Sequence, residues 1–380
     1  MPHSYDAIVL GLGGMGSAAA YHLARRGRRV LGIEQFTSAH DRGSSHGRSR
    51  IIRQSYIEGP QYVPLLLRAY ELWRELELQT GKELLRITGG LMIGRPESAT
   101  VAGSLASARE HGLPHDVFGA DALRRRYPLT PRDDEVALFD PAAGALFPEQ
   151  CILAHIGLAA NYGADLRFET PVTGWRVAGD GVEVEAAGER FHADRLIVTA
   201  GAWSGKLLAD LGLPLAPERN VLYWFWPQEH VERFRSGQLP VFIWEKPGHS
   251  FYGLPILREE GVKVGFHHSG VAANPDQLDR RVDGAEVAAI RACLRESIAG
   301  LDGEPQLTAV CMYTNTPDEH FAVGLHPHHP QVAIAAGFSG HGFKFASVMG
   351  ELLAGLAIDG RTRHPVEAFR LDRFGARAPR

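Results

Sequence analysis

The 380-residue chain is poor in lysine, poor in cysteine and without any long apolar run. Lysine occurs only at Lys82, Lys206, Lys246, Lys263 and Lys344, so arginine supplies 35 of the 40 cationic residues. A lysine kept where arginine otherwise prevails marks a position that wants a compact, titratable cation. The three cysteines, Cys151, Cys293 and Cys311, stand far apart with no CxxC pair. That spacing excludes a disulfide framework or a Cys-rich zinc site and predicts a reducing, cytoplasmic setting. No apolar run approaches the roughly 18 residues of a membrane span, and the N-terminus lacks the basic and apolar regions of a secretory signal. The last five residues, 376–380, carry no peroxisomal tripeptide. A net charge of −4 without a basic block excludes a phosphate-tracking nucleic-acid protein and a membrane-surface protein. What is present points to an enzyme. Length suits two domains, and 43 glycines with 23 prolines imply the many turns of an α/β protein.

Residues 5–10 read as a buried strand, 14–26 as an Ala-rich helix ended by Gly27, and 29–33 as a second strand closing on Glu34. Apolar residues at helical spacing predict a helix over 62–78, and others follow over 149–161, 283–299 and 345–358. The third opens with an Asp283/Glu286 capping box. Short strands near 166, 172–177 and 182–185 lead as a meander into a strand at 195–199. Residues 220–312 have aromatic strands and read as part of a second, antiparallel-sheet unit. The run His326-Pro327-His328-His329-Pro330 could suggest a metal, but its prolines and lack of regular spacing predict a surface loop, and no metal site is expected.

Gly11, Gly13 and Gly16 sit between strand and helix, where glycine permits a tight turn, close approach of a pyrophosphate and helix packing. Glu34 ends the next strand, placed to accept hydrogen bonds from ribose hydroxyls and to repel a 2′-phosphate. This is a dinucleotide fingerprint in its required context. Its position at the extreme N-terminus, with glycine turns after strands near residues 201 and 337, favours FAD over NAD, because one long cofactor is then contacted from both chain ends. The fold class is therefore α/β: a Rossmann-type FAD-binding domain (1–86, 146–219, 313–380) with a second α+β substrate domain built on an antiparallel sheet (87–145, 220–312).

Several runs carry a more specific signal. They are Gly43-Ser44-Ser45-His46-Gly47 followed by Arg50-Ile51-Ile52-Arg53, Cys311-Met312-Tyr313-Thr314 followed by Pro317-Asp318-Glu319-His320-Phe321, and Gly337-Phe338-Ser339-Gly340-His341-Gly342-Phe343-Lys344-Phe345. With these, nearly end to end, the chain resembles the monomeric sarcosine oxidase and N-methyltryptophan oxidase family. One departure is Arg48-Ser49, where that family usually has Asp-Thr. The resemblance implies FAD attached covalently through Cys311, a residue that by itself reads more simply as core. It implies a substrate carboxylate held by Arg53 and Lys344, and Lys263 beside the flavin ring promoting reaction with O2. Arg50, Tyr252, His46 and Tyr313 match other pocket positions, and His267 shares the face of Lys263 in an apolar strand. Ser44, Gly340 and Gly342 fall in the matched cofactor loops.

The implied activity is oxidative demethylation of sarcosine or a similar N-methyl amino acid by a monomer, with O2 reduced to H2O2. Two other readings stand beside it: a flavin oxidase of a larger secondary amine, such as N-methyltryptophan or a cyclic imino acid, and a non-catalytic dinucleotide sensor.

Overall fold

The protein is described by a computed structural model over residues 4–375, so the C-terminal tripeptide lies outside the described residues. Strand β1 (Ser4–Leu10) buries Ala7 to Leu10 almost completely. It pairs in parallel with β2 (Val30–Ile33) on one side and with strand Glu189–Val198 on the other. Helix α1 (Gly14–Arg25) joins β1 to β2 and is apolar nearly all round, because it is covered on both flanks. Helix Ala346–Asp359 crosses it so closely that a Cβ on Gly350 would lie 2.5 Å from the backbone of Ala18.

The eight-stranded sheet is completed by Asp165–Arg167 beside β2, by the meander Val172–Ala178 and Gly181–Ala186, and by Val332–Ala336 with Ala322–Leu325. Strand Glu189–Val198 is the pivot: antiparallel to the meander along its first half, it is parallel to β1 and to Val332–Ala336 along its second. The carboxyl ends of β1, β2 and Val332–Ala336 therefore meet, the usual ligand-binding edge of an open α/β sheet.

A second sheet of nine strands takes in Gly90–Gly94, Asp116–Gly119, Val136–Asp140 and the aromatic strands from Ala216 onward. It is not purely antiparallel: Val241–Lys246 runs parallel to Gly90–Gly94. These two strands are not joined by a hairpin, so no short turn forces them to oppose each other. The predicted capping box forms, with Asp283 accepting from the Glu286 N–H and Glu286 from the Asp283 N–H. A small antiparallel sheet of Arg50–Ile52, Gly144–Leu146 and Leu85–Ile87 bridges the two large ones. Among the described residues no helix is long and apolar enough to cross a membrane.

The histidine run forms the expected loop, with Pro327, His328 and Pro330 exposed, but its first residue turns inward. His326 is buried, its Nδ1 accepts the N–H of His328, and its Nε2 lies 2.9 Å from the Asp210 carboxylate. With Nδ1 an acceptor, neutral His326 carries its proton on Nε2 and donates it to Asp210. The His329 ring stacks on it, so Asp210, His326 and His329 converge without either His326 nitrogen being free.

Candidate active site

The two large sheets and the bridging sheet enclose one cavity of about 830 Å³. This is near the upper end of the about 300–1,000 Å³ usual for small-molecule sites. At one end is the glycine turn. Gly11 has φ +84°, and a Cβ there would lie 2.7 Å from the Thr199 carbonyl oxygen. A Cβ on Gly16 would come within 1.8 Å of the Gly11 oxygen, so helix α1 can close onto the turn only with glycine there. Gly13, by contrast, has nothing nearer than Ser45 Oγ at 3.7 Å, which leaves space for a ligand. Gly13 gives α1 no side-chain cap, and the Gly14 N–H donates to Ser45 Oγ. On the wall, the buried Glu34 carboxylate accepts from the N–H groups of Leu12 and Phe36. A carboxylate has about four acceptor sites, so capacity remains for a ribose. Uncapped helix, bare glycine and buried acid together fit a dinucleotide.

Further along the cavity is the only one of the three cysteines that lines it. Cys311 sits in strand Pro305–Asn315 and is 1% exposed. Arg50 Nη2 lies 3.4 Å from its Sγ and donates to the Ser44 carbonyl at 3.0 Å. Ser44 thus contributes a backbone oxygen, whereas the neighbouring Ser45 contributes its hydroxyl. Lys263 is just behind: its Nζ donates to the carbonyls of Gly47 and Ser49 at 2.8 and 2.7 Å and lies 5.4 Å from the Trp224 ring centre. Its neighbours Val262 and Val264 turn the other way into the core, as the strand period requires. Burial, reinforced by the Arg50 charge, pulls the Lys263 pKa well below that of an ordinary lysine. His46 is also behind the lining. Burial first, then the charges of Arg50 and Lys263, push its pKa down to about 3, and its Nε2 has no partner. Tyr252 lines the cavity, its hydroxyl pushed up to about 12 by burial.

The third cluster is built on Arg53 and Lys344. Arg53, 3% exposed, donates to Glu58 Oε2 at 2.7 Å and lies over the Tyr56 ring, while its Nε has no partner. Lys344 donates to the His341 carbonyl at 2.6 Å and to the Tyr56 hydroxyl at 3.4 Å. Burial, then the Arg53 charge, lowers its pKa well below the usual value. Glu58 is opposed by burial, but Arg53, His341 and Lys344 outweigh it and hold its carboxyl below the usual range. His267 and Tyr313 face each other, Nδ1 to hydroxyl at 3.5 Å. Burial, aided by His268, brings His267 down to about 3, so it is neutral near pH 7. Gly340, with φ +78°, lets the Tyr313 ring pack where a Cβ would lie 2.4 Å away; Gly342 gives the same clearance to Phe338.

Of the residues singled out from the sequence, Gly16, His46 and Lys263 therefore support the cavity from behind, and the others line it. Sequence reasoning missed Ser45, Thr199 and Glu58. Thr199, whose hydroxyl donates to Leu10 O or Gly11 O, follows strand Glu189–Val198 and had a signal in the Thr-Ala-Gly that ends that strand. Glu58 had none, because nothing local says which cation an isolated acid will meet.

The family profile described as FAD dependent oxidoreductase matches residues 6–356. A protein named monomeric sarcosine oxidase from Streptomyces avermitilis is 50% identical, over 99% of both chains. One named N-methyl-L-tryptophan oxidase from Shigella dysenteriae is 36% identical, over 97% of this chain and 99% of its own. Among solved structures, NikD, an unusual amino acid oxidase essential for nikkomycin biosynthesis, superposes with a TM-score of 0.84 over 97% of each chain at 24% identity, a likeness of fold. The glycine turn, the cysteine with its arginine and the buried cation pair thus lie in a member of the FAD-dependent oxidoreductases, and the chain belongs to their sarcosine oxidase family.

Proposed function

We propose that this FAD-dependent amine oxidase converts sarcosine, or a similar N-methyl amino acid, to the demethylated amino acid and formaldehyde, using O2 and water and releasing H2O2. For sarcosine the balance is sarcosine, O2 and H2O giving glycine, formaldehyde and H2O2; the N-methyl group leaves as an imine carbon that water cleaves. The observation that carries the reading is the buried pair Arg53 and Lys344, which lines the same cavity as the glycine turn and Cys311. Two buried cations, one with an unpartnered Nε, form a receptor for a small carboxylate. The names of the similar proteins support the same substrate class.

Bound FAD supplies the acceptor for two electrons and the means of passing them to O2. Gly11, Gly13, Gly16 and the start of α1 would hold its pyrophosphate, Glu34 a ribose, Ser44 and His46 the neighbouring loop, and Gly340 and Gly342 the far turn. Cys311 would form the thioether, with the Arg50 guanidinium 3.4 Å from its sulfur.

The remaining steps belong to the protein's own groups. Arg53 and Lys344 orient the carboxylate, with the Tyr313 hydroxyl beside it. A free aliphatic ammonium keeps its proton to a pKa of ~10. Arg50, Arg53, Lys263 and Lys344 together make a charged amine unfavourable and ease its deprotonation, so a dedicated base is unnecessary. His267, held neutral, and Tyr252 shape the pocket around the reacting carbon. Lys263 keeps a compact cation where O2 gains electrons and negative charge develops. Its two carbonyl partners favour the ammonium form, and one N–H remains unclaimed.

The enzyme would work as a cytoplasmic monomer, divided into cofactor (1–86, 146–219, 313–380) and substrate (87–145, 220–312) parts, a division that strand membership of the two sheets supports. A peroxide-coupled panel of sarcosine, N-methyltryptophan and proline tests the reading. Sarcosine should give the highest kcat/KM. Preference for N-methyltryptophan or proline would favour a larger secondary amine, and no peroxide with any amine would return the dinucleotide-sensor reading.

A further inference from the structure

Asp140, the last residue of strand Val136–Asp140, is 1% exposed. Its Oδ2 accepts from the N–H groups of Gln54 and Ser55 at 2.7 and 2.9 Å, and its Oδ1 from the N–H of Ala142 at 2.9 Å. Gln54 and Ser55 directly follow Arg53. The segment they begin is held at two more points from the same region of the chain. Ser107 Oγ donates to the Tyr56 carbonyl at 2.6 Å. Helix Ala99–Glu110 approaches so closely at Gly103 that a Cβ there would lie 2.4 Å from the Ile57 oxygen.

Residues 53–58 carry both Arg53 and its internal partner Glu58, yet they form no helix or strand of their own that would hold them still. Their backbone is tied to residues 103–140, while the Tyr56 side chain is held separately by His341. The strongest of these tethers is Asp140, because an ionised acceptor makes shorter and stronger bonds to amides than a neutral one. A guanidinium meets a carboxylate through paired, directional hydrogen bonds, so an error of about 1 Å in its placement weakens binding. A carboxylate that sets the backbone on the C-terminal side of Arg53 therefore controls where its guanidinium points.

We infer that Asp140 is a positioning residue for substrate binding, which aims Arg53 at the substrate carboxylate by fixing the amides of Gln54 and Ser55. The inference rests on the reading of Arg53 as the carboxylate anchor. The test uses the holoenzyme and its Asp140→Asn variant, which keeps the side chain's shape and removes its charge. KM for sarcosine, and Kd for acetate read from the flavin absorbance, should each rise about tenfold. At the same time kcat should stay within about twofold, and reoxidation of the reduced flavin by O2 should be unchanged. A general loss that includes O2 reoxidation, or an unchanged acetate Kd, overturns the inference. Arg53→Met separates the two levels. If acetate binding survives that change, the anchor itself is wrong and the inference falls with it; if it is lost there but not in Asp140→Asn, the inference alone fails. Should Asp140→Asn not accumulate as holoenzyme, Ser107→Ala cuts the second tether, and a threefold or larger rise in acetate Kd is expected, with no rise overturning the proposal.

Discussion

Arg53 and Glu58 form a 2.7 Å ion pair on the wall of the cavity, so the guanidinium proposed to receive the substrate carboxylate already holds a carboxylate of the chain itself. Glu58 is then an internal competitor. Glu58→Gln should tighten acetate binding about tenfold, equivalent to about 1.4 kcal/mol. A titration followed by flavin absorbance checks this, and unchanged or weaker binding would show that Glu58 does not compete.

Lys263→Met should slow reoxidation of the reduced flavin by O2 about 100-fold or more while leaving anaerobic reduction by substrate nearly unchanged. Equal effects on both half-reactions would sink its assigned role. Because burial and Arg50 hold its pKa well below the ordinary lysine value, its charge is lost at lower pH than an exposed lysine's would be. The O2 rate should therefore fall as pH rises, beginning well under pH ~10, and the variant should lose that dependence.

Cys311→Ser should leave all flavin in the supernatant after acid precipitation, whereas the unaltered protein keeps it in the pellet. Arg50→Met should lower the covalently bound fraction as well, since its guanidinium is 3.4 Å from the sulfur. Colourless pellets from the unaltered protein would falsify the thioether assignment.

His155, 2% exposed between Tyr21 and Trp73, is pushed down to about 3 by burial, with His22 the lesser cause; burial brings His22 to the same value. The unfolded chain takes up a proton near 6.5, which the folded chain refuses until about 3, so stability is fully present above 6.5 and falls as pH drops between those values. His155→Leu should reduce the loss of unfolding free energy between pH 7 and pH 5 by about 2 kcal/mol. Denaturant titrations at the two pH values decide it; an unchanged loss would mean that His155 is protonated in the fold.

Much of this protein can be read along the chain because the relevant forces act over a few residues. Gly11 and Gly16 are required by the backbone turn around them, the capping box at Asp283 closes within three residues, and the helix after Gly13 follows from the alanines it contains. The runs around Cys311 and Lys344 are recognisable for the same reason: each is one short stretch, the first ending strand Pro305–Asn315 and the second a glycine turn, whose residues act together. Other features depend on groups far apart in sequence. Arg50 reaches Cys311 across 261 positions, and Lys263 finds its carbonyls 216 and 214 positions away. The hold of Asp140 on Gln54 and Ser55, the burial of His326 and the parallel partner of Val241–Lys246 had no local signature, and even Arg53 and Glu58, close in sequence, are paired only where the cavity wall brings them together. Each is settled by which groups are brought into a shared low-dielectric space, where an unpaired charge or amide is costly and the nearest complementary group takes it up. That choice is made only when the two sheets close around the cavity.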